Sequence, residues 1–198
     1  MARMADESGK VFIHPGFEMI FVTRRGRKEL AWNSADLAVV VLDEPVRMDF
    51  QPLVLSDSEV RLGDALVIVG YGLGEVTAKE YGSRQFGENR VTRILNLETG
   101  SAVFVATDSP GPDGKAPSHA GIGDSGGAVV RKDNPNILIG IISMGANTPD
   151  GTKLSLFTSI YPERQWLSDI VRHVDLEADA GVSVPDAGSA PSPMPSIR

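Results

Sequence analysis

Gly121-Ile122-Gly123-Asp124-Ser125-Gly126-Gly127-Ala128 is the stretch of this sequence best suited to covalent chemistry. A serine set among glycines keeps its hydroxyl free, and the backbone N–H groups around it are uncovered. Acyl transfer needs both: a nucleophile, and donors aimed at the oxygen on which charge develops. The same string also reads as a plain glycine turn. Other candidates are weaker. Val67-Ile68-Val69-Gly70-Tyr71-Gly72-Leu73-Gly74 imitates a dinucleotide fingerprint, but Glu75 stands where the third glycine is needed and no helical period follows. Asp108, Asp113 and Asp150 match no calcium-loop spacing and read as solvated turns. Cysteine is absent, which excludes disulfides, thiolate zinc sites and cysteine nucleophiles. No metal site and no cofactor is expected.

The elements that must position this loop are short strands. Leu37–Leu42, Ala65–Val69, Val91–Leu97, Ala102–Ala106, Ala128–Val130 and Ile137–Ser143 are rich in Val, Ile and Leu and bounded by Gly, Pro, Asp or Asn. A single helical face stands out: Trp166, Leu167, Ile170, Val171 and Val174, with Pro162 at a first-turn position. The pattern predicts an all-β fold with a C-terminal helix.

The 198 residues are 41% hydrophobic, enough for a sizeable core. A net charge of -7 disfavours a nucleic-acid partner, because phosphate binding needs a basic surface. No apolar run approaches the ~18 residues of a membrane span. Met1–Glu7 lacks the apolar centre of an export signal. Arg24-Arg25-Gly26-Arg27-Lys28 reads as a solvated basic loop. Of the residues from Ala178 to Ile197, 14 of 20 are Ala, Gly, Ser or Pro, which predicts a disordered tail. The expected layout is an N-terminal extension over 1–10, one domain over 11–176, and a tail over 177–198.

Gly123-Asp124-Ser125-Gly126-Gly127 resembles the nucleophile motif of the trypsin-like (chymotrypsin-fold) serine proteases. Further pieces fall in that family's order. Asp36-Leu37-Ala38-Val39-Val40-Val41-Leu42 resembles the strand that begins with the catalytic aspartate. His14-Pro15-Gly16-Phe17 resembles the His-Pro-aromatic segment before it. Val69-Gly70-Tyr71-Gly72 is similar to the Gly-Trp-Gly turn, and Gly140–Gly145 to the Gly-Ile-Val-Ser-Trp-Gly strand, with Met144 for Trp. Leu156-Phe157-Thr158 and Trp166-Leu167 follow in place.

The resemblance implies a two-β-barrel trypsin-like fold with an incomplete first barrel. It implies a serine-type endopeptidase acting on protein or peptide substrates, extracellular and monomeric. Ser125 would be the nucleophile and Asp36 the residue that orients the general base. The N–H groups of Gly123 and Ser125 would form the oxyanion hole, and Ser143 would support Asp36. Ser143, Met144 and Gly145 would pair with an extended substrate. His119 would lie at the floor of the specificity pocket, with Ser155 and Gly145 on its walls, a lining compatible with a small polar or acidic side chain.

One part departs from the family. Its general-base histidine lies in a Thr-Ala-Ala-His-Cys-like segment upstream of the His-Pro segment. Only His14, His119 and His173 occur here, and none precedes residue 14. The same upstream segment supplies the α-amine that pairs with the aspartate before the nucleophile, here Asp124. Asp124 is therefore expected to lack its cation and its loop to be rearranged or solvated. The first barrel is expected to expose apolar edges. Removing one triad member costs on the order of 10⁶ in rate. Three readings follow: an endopeptidase shortened at its start, a non-catalytic peptide or partner binder, and a fragment that does not fold.

Overall fold

The computed structural model describes residues 8–24, 26–44, 51–73, 82–110, 114 and 116–179. Its strands are β1 (Gly9–Ile13), β2 (Glu18–Arg24), β3 (Arg27–Ser34), β4 (Ala38–Leu42), β5 (Val54–Leu55), β6 (Ala65–Gly70), β7 (Gln85–Arg90), β8 (Arg93–Asn96), β9 (Ala102–Thr107), β10 (Ala128–Arg131), β11 (Ile137–Asn147) and β12 (Lys153–Ser159). A 3-10 turn (Tyr161–Glu163) leads into helix α1 (Arg164–Asp179).

Residues after 50 build the larger lobe. Leu66 and Ile68 alternate with less buried neighbours along β6, the two-residue period of a strand with one face in a core. The sheet runs β7-β6-β10-β11-β12-β9-β8, with β5 added in parallel to β11. Only Val91 and Thr92 separate β7 from β8, and the Thr92 N–H donates to Val105 O at 2.8 Å. The two ends of the sheet are thus one bent strand, and the sheet curls round on itself as a barrel. Leu66, Ile68, Val91, Phe104, Ala106, Val129, Ile139, Ile142 and Phe157 fill it. Phe104 and Phe157 meet at 5.0 Å between ring centroids.

Residues before 45 form two separate antiparallel pairs, β1 with β4 and β2 with β3. Val11 pairs with Val40 and Ile13 with Ala38, and all four lie on an exposed face. Phe17, Met19, Phe21 and Leu30 are exposed as well. This lobe is held to the larger one by Trp32, which packs against Val103, Val105 and Leu156, and by the His14 ring, 4.5 Å from that of Trp166.

Several elements differ from the expectation. Arg24, Arg27 and Lys28 belong to strands at the end of a hairpin, with Arg24 paired to Arg27. Gly26 takes φ +76°, the left-handed conformation that a tight hairpin turn demands. The Lys28 ammonium sits 4.4 Å from the Phe21 ring centroid. β1 starts at Gly9 rather than at 11, because Gly9 pairs with Leu42. Helix α1 runs to Asp179, past residue 176, and Val171 is exposed while Ile170 is buried. Strands β1, β2, β3, β5, β7 and β12 were not expected, because none carries a run of Val and Ile closed by turn residues; β7, Gln-Phe-Gly-Glu-Asn-Arg, is mostly polar. The tail beyond 179 and Asp113 lie outside the described residues. No helix among the described residues is long and apolar enough to cross a membrane.

Candidate active site

The nucleophile loop leaves the barrel between β9 and β10 and is pinned from both sides. Gly126 N–H donates to Ile142 O at 2.8 Å, and Ile142 N–H donates to Gly127 O at 2.9 Å. Gly127 fits because a Cβ there would stand 2.5 Å from Val69 O. Gly123 takes φ +90°, which an L side chain resists. Ser125 and Gly123 are exposed. Among the described residues, nothing accepts the N–H of Gly123 or of Ser125, and Ser125 Oγ has no hydrogen-bond partner. The loop thus presents a free hydroxyl beside free donors, the arrangement that acyl transfer uses.

Asp36 is half-buried where the two lobes meet. Its Oδ2 accepts the Ser143 hydroxyl at 2.6 Å and the Asn33 amide at 2.9 Å. Its backbone oxygen accepts the Thr158 hydroxyl at 3.1 Å. Ala35, just before it, is buried at φ +44° with its N–H on Ser101 Oγ. A left-handed alanine costs roughly 1–2 kcal/mol, so the surroundings force this turn. Ser143 is the extra residue of a β-bulge in β11, where Ile142 faces Phe157 and Met144 faces Leu156. Sequence reasoning missed Asn33 and Ser101, which carry no motif, and the contact that Thr158 makes with Asp36.

None of the three histidines contacts Ser125 or Asp36 among the described residues. His14 Nδ1 accepts the Gly16 N–H at 3.0 Å, so its proton sits on Nε2, which donates to Glu163 Oε2 at 3.0 Å. Both ring nitrogens are therefore engaged, Nδ1 within its own turn and Nε2 on the 3-10 turn that leads into α1. His119 Nε2 lies 3.1 Å from Lys153 Nζ. His173 is exposed on α1.

Asp124 has no cationic partner among the described residues, as expected, but its carboxylate is not left to solvent. Its Oδ1 accepts the Gly72 N–H and its Oδ2 the Gly121 N–H, each at 2.7 Å. The carboxylate is held, not loose. Around it lies a cavity of about 410 Å³ lined among others by Gly70, Phe86, His119, Asp124 and Lys153. His119 faces this cavity beside β7, whereas Ser143, Met144, Gly145 and Ser155 do not line it. Ser155 is fully buried, and its hydroxyl accepts the Ala120 N–H at 2.8 Å, so it shapes the segment from within instead of facing substrate. Met144 packs on the Val103–Val105–Leu156 cluster. Gly145 is exposed, and a Cβ there would approach Ala120 O to 3.9 Å. Residues Met144–Asn147 of β11 pair with β12 on one side, while β10 stops opposite Ile141.

The chain thus combines a curled antiparallel barrel, a second lobe carrying an aspartate at the junction, and an exposed Gly-Asp-Ser-Gly-Gly loop between β9 and β10. The trypsin family profile matches residues 7–167, and the chain belongs to that family. Among solved structures it is similar to the scabies mite inactivated protease paralogue S-I1, at 21% identity and a TM-score of 0.55, covering 84% of this chain and 68% of that one. No curated protein sequence matches.

Proposed function

We propose that Ser125 is the nucleophile of a serine-type endopeptidase site in which Asp36 is ready to orient a base that the chain's own histidines do not provide. The reading is carried by the loop itself: the Ser125 hydroxyl and the Gly123 and Ser125 N–H groups are all unpartnered among the described residues. With an imidazole between Asp36 and Ser125, Ser125 Oγ attacks the peptide carbonyl and gives its proton to the imidazole. The imidazolium returns the proton to the leaving amine, and water then releases the acyl group. Without that base, about 10³–10⁴-fold acceleration over water is the expected ceiling, so the chain alone hydrolyses peptides negligibly.

Acylation by p-nitrophenyl acetate tests this, followed by the mass of the Ser125 peptide, with free imidazole added as the base. Labelling of Ser125 that rises with imidazole and vanishes in Ser125→Ala supports the reading. Equal labelling in both proteins refutes it. A second reading, a binder without catalysis, is favoured by the edge of β11 beyond Ile142, which has no strand partner on the β10 side among the described residues. An extended peptide can add there as a strand. Peptide binding with no imidazole-dependent labelling supports that second reading.

A further inference from the structure

β3 ends at Ser34, and the chain then turns through Ala35 to Asp36. Ala35 is buried at φ +44°, a left-handed conformation that a Cβ resists. A different φ at Ala35 would swing the Asp36 carboxylate away from Ser143, so whatever holds Ala35 also aims Asp36. What holds it comes from the larger lobe. Between β8 and β9, Leu97 N–H donates to Ser101 O at 2.9 Å and Gly100 N–H to Leu97 O at 3.0 Å, with Gly100 at φ +84°. This tight turn carries Thr99 and Ser101 to the junction of the lobes. Ser101 is buried, and its Oγ accepts the Ala35 N–H at 3.2 Å across 66 positions of the chain. The fully buried Ser34 hydroxyl shares a hydrogen bond of 2.7 Å with Thr99 Oγ1 across 65 positions. Thr99 Oγ1 also accepts the Ser101 N–H at 3.4 Å, which links the two contacts. A buried N–H and a buried hydroxyl are costly unless paired, and one turn pairs both.

We infer that the turn between β8 and β9, through the Thr99 and Ser101 hydroxyls, positions Asp36: it holds the left-handed Ala35 from across the lobe junction and so points the Asp36 carboxylate at Ser143. Thr99 and Ser101 are positioning residues that act through Asp36 and touch no substrate. Neither belongs to the segment that carries Asp36, so docking of the two lobes is what aims the carboxylate. The inference rests on the reading above, in which Asp36 orients a base for Ser125.

Labelling of Ser125 by p-nitrophenyl acetate in the full chain, with and without imidazole, tests it. In Ser101→Ala the imidazole-dependent rate, taken relative to the rate without imidazole, should fall about fivefold, the factor that one lost neutral hydrogen bond corresponds to. Thr99→Val should act likewise, and Thr99→Ser, which keeps the hydroxyl, should not. Because both residues act through Asp36, adding Ser101→Ala to Asp36→Asn should lower the rate no further. Ile139→Val, which trims the barrel core four positions from Ser143, controls for a general loss of stability and should leave the imidazole dependence alone. Full imidazole dependence in Ser101→Ala and Thr99→Val overturns the inference. So does an equal loss in Ile139→Val, or a loss that adds to that of Asp36→Asn. The side-chain amide of Asn33 donates to Asp36 Oδ2 at 2.9 Å and gives a second readout, by NMR, that does not involve Ser125. Its proton signals should shift in Ser101→Ala and Thr99→Val but not in Thr99→Ser. If Ser125 of the unaltered chain is not labelled but the Asn33 signals shift, the nucleophile falls and the positioning stands. Imidazole-dependent labelling with Asn33 signals that no variant moves does the reverse.

Discussion

Ser143 donates its hydroxyl to Asp36 Oδ2 at 2.6 Å across 107 positions of the chain, and it does so as the extra residue of the β11 bulge. A hydrogen bond to an ionised group contributes about 1.5–3 kcal/mol. Ser143→Ala should therefore lower unfolding free energy by about 1.5 kcal/mol, since the site is only half-buried and Asn33 still holds the oxygen. Urea unfolding measures it. A change within experimental scatter would mean that the bond is not formed in solution.

Ser125→Ala should leave stability unchanged within about 0.5 kcal/mol, because the exposed hydroxyl touches no partner. The same variant should abolish imidazole-dependent labelling. Stability lost in step with labelling would point to a structural serine.

His14→Ala should do the opposite. It leaves the Glu163 carboxylate, 7% exposed, without its imidazole partner and opens space beside Trp166. Breaking a buried pair of this kind costs about 3–5 kcal/mol. Unfolding should shift by the lower end of that range, since His14 need not be charged. Folded His14→Ala should still show imidazole-dependent labelling of Ser125; complete loss of it in folded protein would restore His14 as a base.

Gly140 lies against the aromatic pair of the barrel core. A Cβ there would lie 2.6 Å from two Phe104 ring atoms and 3.0 Å from Thr158 O. Overpacking costs about 1–3 kcal/mol. Gly140→Ala should lower Tm by several degrees in calorimetry, whereas an unchanged Tm would mean that the Phe104–Phe157 pair has room to move.

Val11, Ile13 and Val40 are 58%, 68% and 54% exposed on one face of the β1–β4 pair. Replacing all three with Thr should reduce self-association in light scattering and leave the urea midpoint nearly unchanged. A large loss of stability would show that this face is buried in the soluble protein.

Much of the larger lobe was legible from the sequence. Ala65–Gly70, Ala102–Thr107, Ala128–Arg131 and Ile137–Asn147 announce themselves through Val and Ile runs, because a barrel wall buries one whole face of each strand. The first lobe was less legible. Its strands leave apolar residues exposed and carry charges, so no clear period marks them.

The nucleophile loop was readable because its chemistry is local: seven consecutive residues, Gly121–Gly127, hold the hydroxyl, the donors and the glycines that uncover them. Apart from Ser143, which the family resemblance placed beside Asp36, what surrounds Asp36 and Asp124 was decided only by tertiary structure. Asn33, Ser143 and Thr158 converge on Asp36 from β3, β11 and β12, and Gly72 reaches Asp124 from the end of β6. Single polar residues far apart in a chain carry no spacing to read. Their meeting depends on sheet register and on one bulge. The contacts of His14 were decided the same way: its Nδ1 takes the Gly16 N–H, its Nε2 meets Glu163, and its ring lies against Trp166.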